Sequence, residues 1–339
     1  MSDRPLLELH DLVKHFPLGG GLVSQPRALV RAVEGISFTV ARGESFGLVG
    51  ESGCGKTTVG RLILRLIEPT RGRVVFDGQE IQHLDRRRMR PFRRRIQMIF
   101  QDPYSCLDPR LRVEAIVTEP LSAFARLDKA KRREVAAGLL EKVGLRTDDL
   151  AKYPHEFSGG QRQRLGIARA LSLRPDLIVA DEPVSALDVS IQAQVINLMG
   201  DLKEEFHLSY VFISHDLSVV EHICERIGVM YLGRLVELAP SDIFAGAPLH
   251  PYTKTLLSAV PFPDPRQKRR PVMMEGDAPN PLAPPPGCAF HPRCVEAGDI
   301  CRRQVPAPSI VADGHMVACH AVRAGREIGP EGVAQESPR

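Results

Sequence analysis

Gly50-Glu51-Ser52-Gly53-Cys54-Gly55-Lys56-Thr57 is the stretch on which the reading of this chain turns. It fits the pattern G-x-x-x-x-G-K-S/T, with an apolar Ser45 to Val49 ahead of it that reads as a buried strand and a helix-like Thr57 to Ile67 behind it. Strand, glycine-rich turn and helix in that order make a cradle for phosphate. The glycines let backbone N–H groups approach the oxygens, and the helix N-terminus offers unpaired donors. Lys56 adds positive charge, and the Thr57 hydroxyl suits Mg²⁺. Gly50, Ser52, Gly53, Cys54, Gly55, Lys56, Thr57 and Thr58 are the expected nucleotide contacts.

On either side the sequence alternates apolar runs with helical patterns from Leu6 to about Ala259, the rhythm of an α/β protein. Strands are expected at Val33 to Val40, Ser45 to Val49, Arg73 to Phe76, Ile96 to Phe100, Leu177 to Ala180 and Tyr210 to Ile213. Several are continuous apolar runs, as strands buried on both faces require. Between Leu111 and Lys152 strand signals give way to helical spacing, notably Lys129 to Val143, so a helical insert at about residues 102–159 is expected. Leu177 to Ala180 ends in Asp181-Glu182-Pro183, which places two carboxylates at a strand's carboxyl end, where α/β sheets bind ligands. Asp181 is expected to hold Mg²⁺ and Glu182 to polarise the attacking water, as phosphoryl transfer requires.

Phe157-Ser158-Gly159-Gly160-Gln161 precedes the helical Arg162 to Leu173. Ser158 reads as an N-cap, and its hydroxyl, the Gly159 and Gly160 amides and the positive helix end form a second anion site. With this segment in place the chain resembles the ABC ATPase family, whose signature motif it matches. The resemblance implies an ABC-type P-loop nucleotide-binding domain in which two subunits pair head to tail, each signature segment, including Gln161, completing the other's ATP site. It further implies that Gln101 senses Mg²⁺ and the lytic water, that Ser185-Ala186-Leu187-Asp188 crosses the dimer interface, and that His215 contacts the γ-phosphate. Phe16, 34 residues ahead of Gly50, is the aromatic expected to stack on adenine.

The chain has 339 residues, of which 43% are hydrophobic and 25% charged, the balance of a globular protein. No apolar run reaches the roughly 18 to 20 residues of a spanning helix, and the N-terminus does not read as a signal peptide. Any membrane role therefore falls to partners. The net charge of +4 is too mild to indicate nucleic-acid binding. Arg86 to Arg95 is a dense basic run with Phe92 as its one aromatic, so a solvated face or a surface toward membrane subunits or acidic lipid is expected, and no nucleic acid.

After Ala239 prolines accumulate, with 15 of 28 between Pro240 and Pro308, and regular elements should be short there. His250 to Leu257, Pro281 to Pro286 and Cys288-Ala289-Phe290-His291-Pro292-Arg293-Cys294 resemble the C-terminal extension of oligopeptide and dipeptide ABC importers. The resemblance divides the chain into a nucleotide-binding domain (1–250) and a small irregular Cys-containing C-terminal domain (251–323), and the polar composition of residues 324–339 reads as a disordered tail. The partners implied by the resemblance are a sister ATPase, two integral permease subunits and an extracytoplasmic substrate-binding protein, at the cytoplasmic face of the membrane. The Gly-containing insert before Val33 further resembles the second of the two ATPase subunits of such importers. Its implied cofactors are ATP and Mg²⁺, and its cargo a peptide, with nickel and glutathione left open, as is a soluble ABC ATPase. Cys288, Cys294, Cys301 and Cys319, spaced C-x5-C-x6-C-x17-C, suit a 4Fe–4S cluster, one zinc ion or free thiols; the resemblance favours the cluster.

Overall fold

In the computed structural model the described residues are 4–19, 28–259, 276, 279–312 and 314–322. Two sheets form the frame. A four-stranded antiparallel sheet takes the order β2-β1-β4-β5, from β1 (Leu7–Leu18), β2 (Ala28–Val40), β4 (Arg71–Phe76) and β5 (Gln79–Glu80). An eight-stranded sheet takes the order β11-β12-β10-β9-β3-β8-β7-β6. It comprises β3 (Ser45–Val49), β6 (Ile96–Ile99), β7 (Leu177–Asp181), β8 (Ser209–Ser214), β9 (Arg226–Tyr231), β10 (Arg234–Pro240), β11 (Ser309–Ala312) and β12 (His315–Val317).

The strands β6, β7, β8, β3 and β9 run parallel, and their period-2 alternation sends successive side chains to opposite faces. Phe46, Leu48, Leu177, Val179, Val211 and Ile213 pack with Val59, Leu62 and Ile63 of the helix Lys56–Ile63 and with Leu9, Ile36 and Phe76 of the antiparallel sheet. Ile178, Ala180, Tyr210 and Phe212 face the other way, onto Val117, Leu140, Leu165 and Met199 from the helices Val113–Ser122, Lys129–Lys142, Gly159–Leu171 and Val189–Phe206. All residues of β3, β7 and β8 are buried.

Register decides where the site lies. Val49 pairs with Ser214, Asp181 with Ile213, and Ile99 with Ala180, so four strands end together at one edge. Gly50, Asp181-Glu182, His215 and Gln101 all leave the sheet there. Each expected strand is present within a few residues, and the helix expected over Lys129 to Val143 spans Lys129–Lys142.

Beyond Pro240 the elements are short, among them the helices Pro251–Ser258 and Asp299–Arg303. They are tied into the main sheet: β12 pairs with β10, and Phe290 belongs to the same buried cluster as Phe212. Most of the insert before Val33 and the tail 324–339 lie outside the described residues.

Candidate functional site

The phosphate loop closes tightly on its surroundings. Gly55 has φ 109°, and a Cβ there would lie 2.1 Å from the Ala32 carbonyl oxygen, so only glycine fits. Lys56 is buried, and its ammonium donates to the carbonyl oxygens of Gly50 (2.7 Å) and Glu51 (3.0 Å). Thr57 lies in the first turn of the helix Lys56–Ile63, and its hydroxyl donates to Asp181 Oδ1 at 3.0 Å. Burial pushes the Asp181 carboxyl above its usual pKa; the Thr57 hydrogen bond works against this, and the neighbouring Glu182 charge adds to it.

Glu182 follows with φ 46°, a left-handed conformation that non-glycine residues avoid and that active sites retain. Its backbone N–H donates to the Ile213 carbonyl at 2.8 Å, fixing the turn to β8. Gln101 Nε2 donates to Glu182 Oε2 at 2.8 Å, and His215 Nδ1 lies 3.4 Å from the same oxygen. A cavity of about 210 Å³ opens over the phosphate loop, lined by Ser52 to Thr58, Gln101 and Glu182, with Val30 to Ala32, Leu232, Gly233 and Pro281 closing it.

Not every expected contact lies in that cavity. Phe16 does not line it; its cross-strand partner Val30 does. Lys14 instead sits over the Phe16 ring, 5.0 Å from its centroid. Ser158 to Gln161 also lie elsewhere, at the start of the helix Gly159–Leu171. Ser158 Oγ accepts from the Gln161 N–H and the Gln161 side chain accepts from the Ser158 N–H, a capping box. Asp188 caps the helix Val189–Phe206 by position, with no side-chain hydrogen bond to it. In the basic run, helical over Arg86–Arg95, Met89 and Phe92 are buried and Arg95 pairs with Asp77 and Asp176, leaving Arg86, Arg87, Arg88, Arg90, Arg93 and Arg94 exposed.

The expected metal at the cysteines is not supported. Cys288, Cys294, Cys301 and Cys319 are free thiols, and among the described residues no three His, Cys, Asp or Glu side chains converge to hold a metal ion. Neither the iron–sulfur cluster nor zinc therefore enters the chemistry below.

Sequence reasoning missed the groups that grip Glu51. Its backbone N–H donates to the Tyr252 hydroxyl at 2.9 Å, and Arg293 Nη1 donates to its carboxylate at 2.9 and 3.1 Å. No local signal marks a contact between residues 242 positions apart.

Comparison with known proteins agrees with this geometry. Residues 33–185 match the ABC transporter family, and residues 236–301 the C-terminal region of the oligopeptide/dipeptide transporter family. The chain is 53% identical to a probable peptide ABC transporter ATP-binding protein, y4tS, of Sinorhizobium fredii, over 98% of this chain and 95% of that one. It is 52% identical to the oligopeptide transport ATP-binding protein AppF of Bacillus subtilis, over 94% and 98%. Among solved structures, the dimeric ATP-binding cassette MJ0796 bound to ADP and Pi superposes with a TM-score of 0.62 at 29% identity, covering 69% of this chain and 98% of that one. CbiO1 of Clostridium perfringens, part of an ABC transporter complex, gives 0.61 at 25% identity over 71% and 91%. The chain belongs to the ATP-binding subunits of ABC transporters, in the branch that carries the oligopeptide/dipeptide transporter C-terminal region.

Proposed function

We propose that this chain hydrolyses ATP to drive import of di- or oligopeptides through an ABC transporter. The observation that carries the reading is one carboxylate oxygen, Glu182 Oε2, held between Gln101 and His215 across the cavity from the phosphate loop.

Lys56, now occupied by loop carbonyls, exchanges them for phosphate oxygens when ATP binds. Thr57, Asp181 and Gln101 would hold Mg²⁺. Hydroxyl, carboxylate and amide oxygens are the hard donors this ion prefers, and the 3.0 Å Thr57–Asp181 contact shows two of them already side by side. When bound, the ion neutralises charge on the transferring phosphoryl group. Glu182 takes the proton of the attacking water, while Gln101 and His215 keep its carboxylate aimed at the cavity.

The capping box at Ser158 is a second helix start suited to an anion, and none of Ser158 to Gln161 lines the chain's own cavity. This supports a role for Ser158 to Gln161, with Asp188, in completing the site of a second ATPase subunit. We take this chain as the second of two sister subunits, closing around two ATP molecules and reopening after hydrolysis. No helix among the described residues is long and apolar enough to cross a membrane, so two permease subunits supply the path. An extracytoplasmic binding protein delivers the cargo, and the chain works at the membrane's cytoplasmic face. Residues 1–250 form the nucleotide-binding domain in this scheme, and 251–323 the C-terminal domain.

The test is uptake of labelled dipeptide, longer peptide and nickel in a strain lacking the gene, complemented by the parent or by Glu182→Gln. Peptide uptake lost and restored only by the parent supports the proposal. Loss of nickel uptake alone reassigns the cargo, and unchanged uptake of all three removes the transport reading.

A further inference from the structure

The second residue of the phosphate loop is held from the C-terminal unit through both its backbone N–H and its side chain. Glu51, directly after Gly50, has its backbone N–H on the Tyr252 hydroxyl (2.9 Å) and its carboxylate on Arg293 (2.9 and 3.1 Å). The same Arg293 nitrogen reaches the Tyr231 hydroxyl at 3.5 Å. The ion pair is sheltered, with the Arg293 side chain only 8% exposed and that of Glu51 26%, so solvent screens it less than a surface pair.

The grip is rigid because its members are packed. Tyr231, Tyr252 and Phe290 form a triangle of rings with centroids 4.7, 5.2 and 5.3 Å apart, and all three are buried. Arg293 sits in a single turn of 3₁₀ helix, His291–Arg293, between Cys288 and Cys294, and the Cys288 N–H donates to the Cys301 carbonyl at 2.8 Å. The C-terminal unit thus presents one guanidinium from a cross-braced loop to the loop that wraps phosphate. Glu51 also offers the carbonyl on which Lys56 rests at 3.0 Å, so the residue Arg293 holds is one the catalytic lysine touches.

We infer that Arg293 is a positioning residue for the ATPase reaction: with Tyr252 it sets the phosphate loop through Glu51, so that the C-terminal unit controls ATP affinity. The inference rests on the ATPase reading. Preorganised loop amides bind phosphate without reordering, and freeing Glu51 restores that cost to every binding event.

The experiment compares steady-state ATP hydrolysis by the assembled transporter, with its sister ATPase subunit, carrying the full-length parent, Arg293→Ala, Arg293→Lys, Glu51→Gln, Tyr252→Phe or the double variant Arg293→Ala/Glu51→Gln. Arg293→Ala and Glu51→Gln should each raise KM for ATP about tenfold with kcat within about twofold of the parent, the scale expected when a positioning contact is lost. The double variant should be no worse than either single one, and Arg293→Lys should recover most of the loss. Tyr252→Phe, which removes one hydroxyl and keeps the packed ring, should shift KM the same way. An unchanged KM in Arg293→Ala, or additive losses in the double variant, overturns the inference. If Arg293→Ala does not fold, an unchanged KM in Tyr252→Phe does so. A folded parent that binds no ATP would instead remove the ATPase reading itself.

Discussion

Gln101 and His215 meet at a single atom, Glu182 Oε2: the amide at 2.8 Å and the imidazole at 3.4 Å. A carboxylate held by two partners is aimed, and its basicity is directed at whatever occupies the cavity. Glu182→Gln keeps the shape and removes the base. ATP hydrolysis should fall by about 10²–10⁴-fold, the usual worth of a general base, while ATP binding persists. Phosphate release and equilibrium binding of labelled ATP check the two halves separately. A variant that hydrolyses as fast as the parent would move the base elsewhere.

Asp181 illustrates function held at a cost to stability. Its folded pKa is raised, chiefly by burial, so between the unfolded and folded values the folded state binds more protons. Stability therefore falls as pH rises through that window, and at neutral pH the ionised carboxylate is a burden on the metal-free protein. Asp181→Asn should raise the metal-free Tm, by about 2 °C for each kcal/mol relieved, while abolishing hydrolysis. Melts with and without Mg²⁺ and ATP decide it. A lower metal-free Tm would show that the hydrogen bond from Thr57 outweighs burial.

Two glycines of one loop should respond differently to the same methyl group. At Gly55 a Cβ meets the Ala32 carbonyl at 2.1 Å, and backbone cannot swing aside; at Gly53 nothing lies within 4 Å. Both have positive φ, which alone costs a side chain about 1–2 kcal/mol. Gly53→Ala should lose about that much stability and keep measurable ATP binding. Gly55→Ala should lose more and bind no nucleotide. Denaturant melts and nucleotide titration give both numbers, and equal losses at the two positions would contradict the packing described around β2.

Much of the site is legible in sequence because each part is local. A glycine-rich turn between strand and helix, an acidic pair capping an apolar run and a serine three residues ahead of a glutamine each announce themselves within a few positions. The register of β3, β6, β7 and β8 then brings Thr57 to Asp181 across 124 positions, a consequence of strands buried on both faces. Contacts without local pattern stay hidden. The hold of Arg293 on Glu51 spans 242 positions, and β11 and β12 are short strands in a proline-rich region that argues against them. Spacing places four cysteines in one neighbourhood, yet it does not say whether their sulfurs converge. Phe16 stands out as an aromatic before the loop, but strand pairing gives the cavity wall to Val30 opposite.

His250 ties the C-terminal unit to the sheet and makes it sensitive to acid. Its ring is buried, and burial lowers its pKa to about 4, with Lys254 adding to the effect and Glu237 opposing it. Its Nδ1 accepts from the Tyr252 N–H at 3.1 Å, capping the helix Pro251–Ser258, and its backbone N–H donates to the fully buried Glu237. The unfolded chain takes up the proton first, near pH 6.5, so this group's contribution is complete above that pH and is lost as pH falls from 6.5 to about 4. At about 1.4 kcal/mol per pH unit, the loss approaches about 3 kcal/mol at the acid end. His250→Asn retains a side-chain acceptor suited to an N-cap but carries no titrating group. Urea melts from pH 7 to 4 should show the parent losing stability more steeply than this variant, and parallel curves would place the acid sensitivity on other groups. Because Tyr252 hangs from the same cap and holds Glu51, ATP affinity of the folded parent should weaken only as pH falls through the folded value of about 4, while the asparagine variant keeps it.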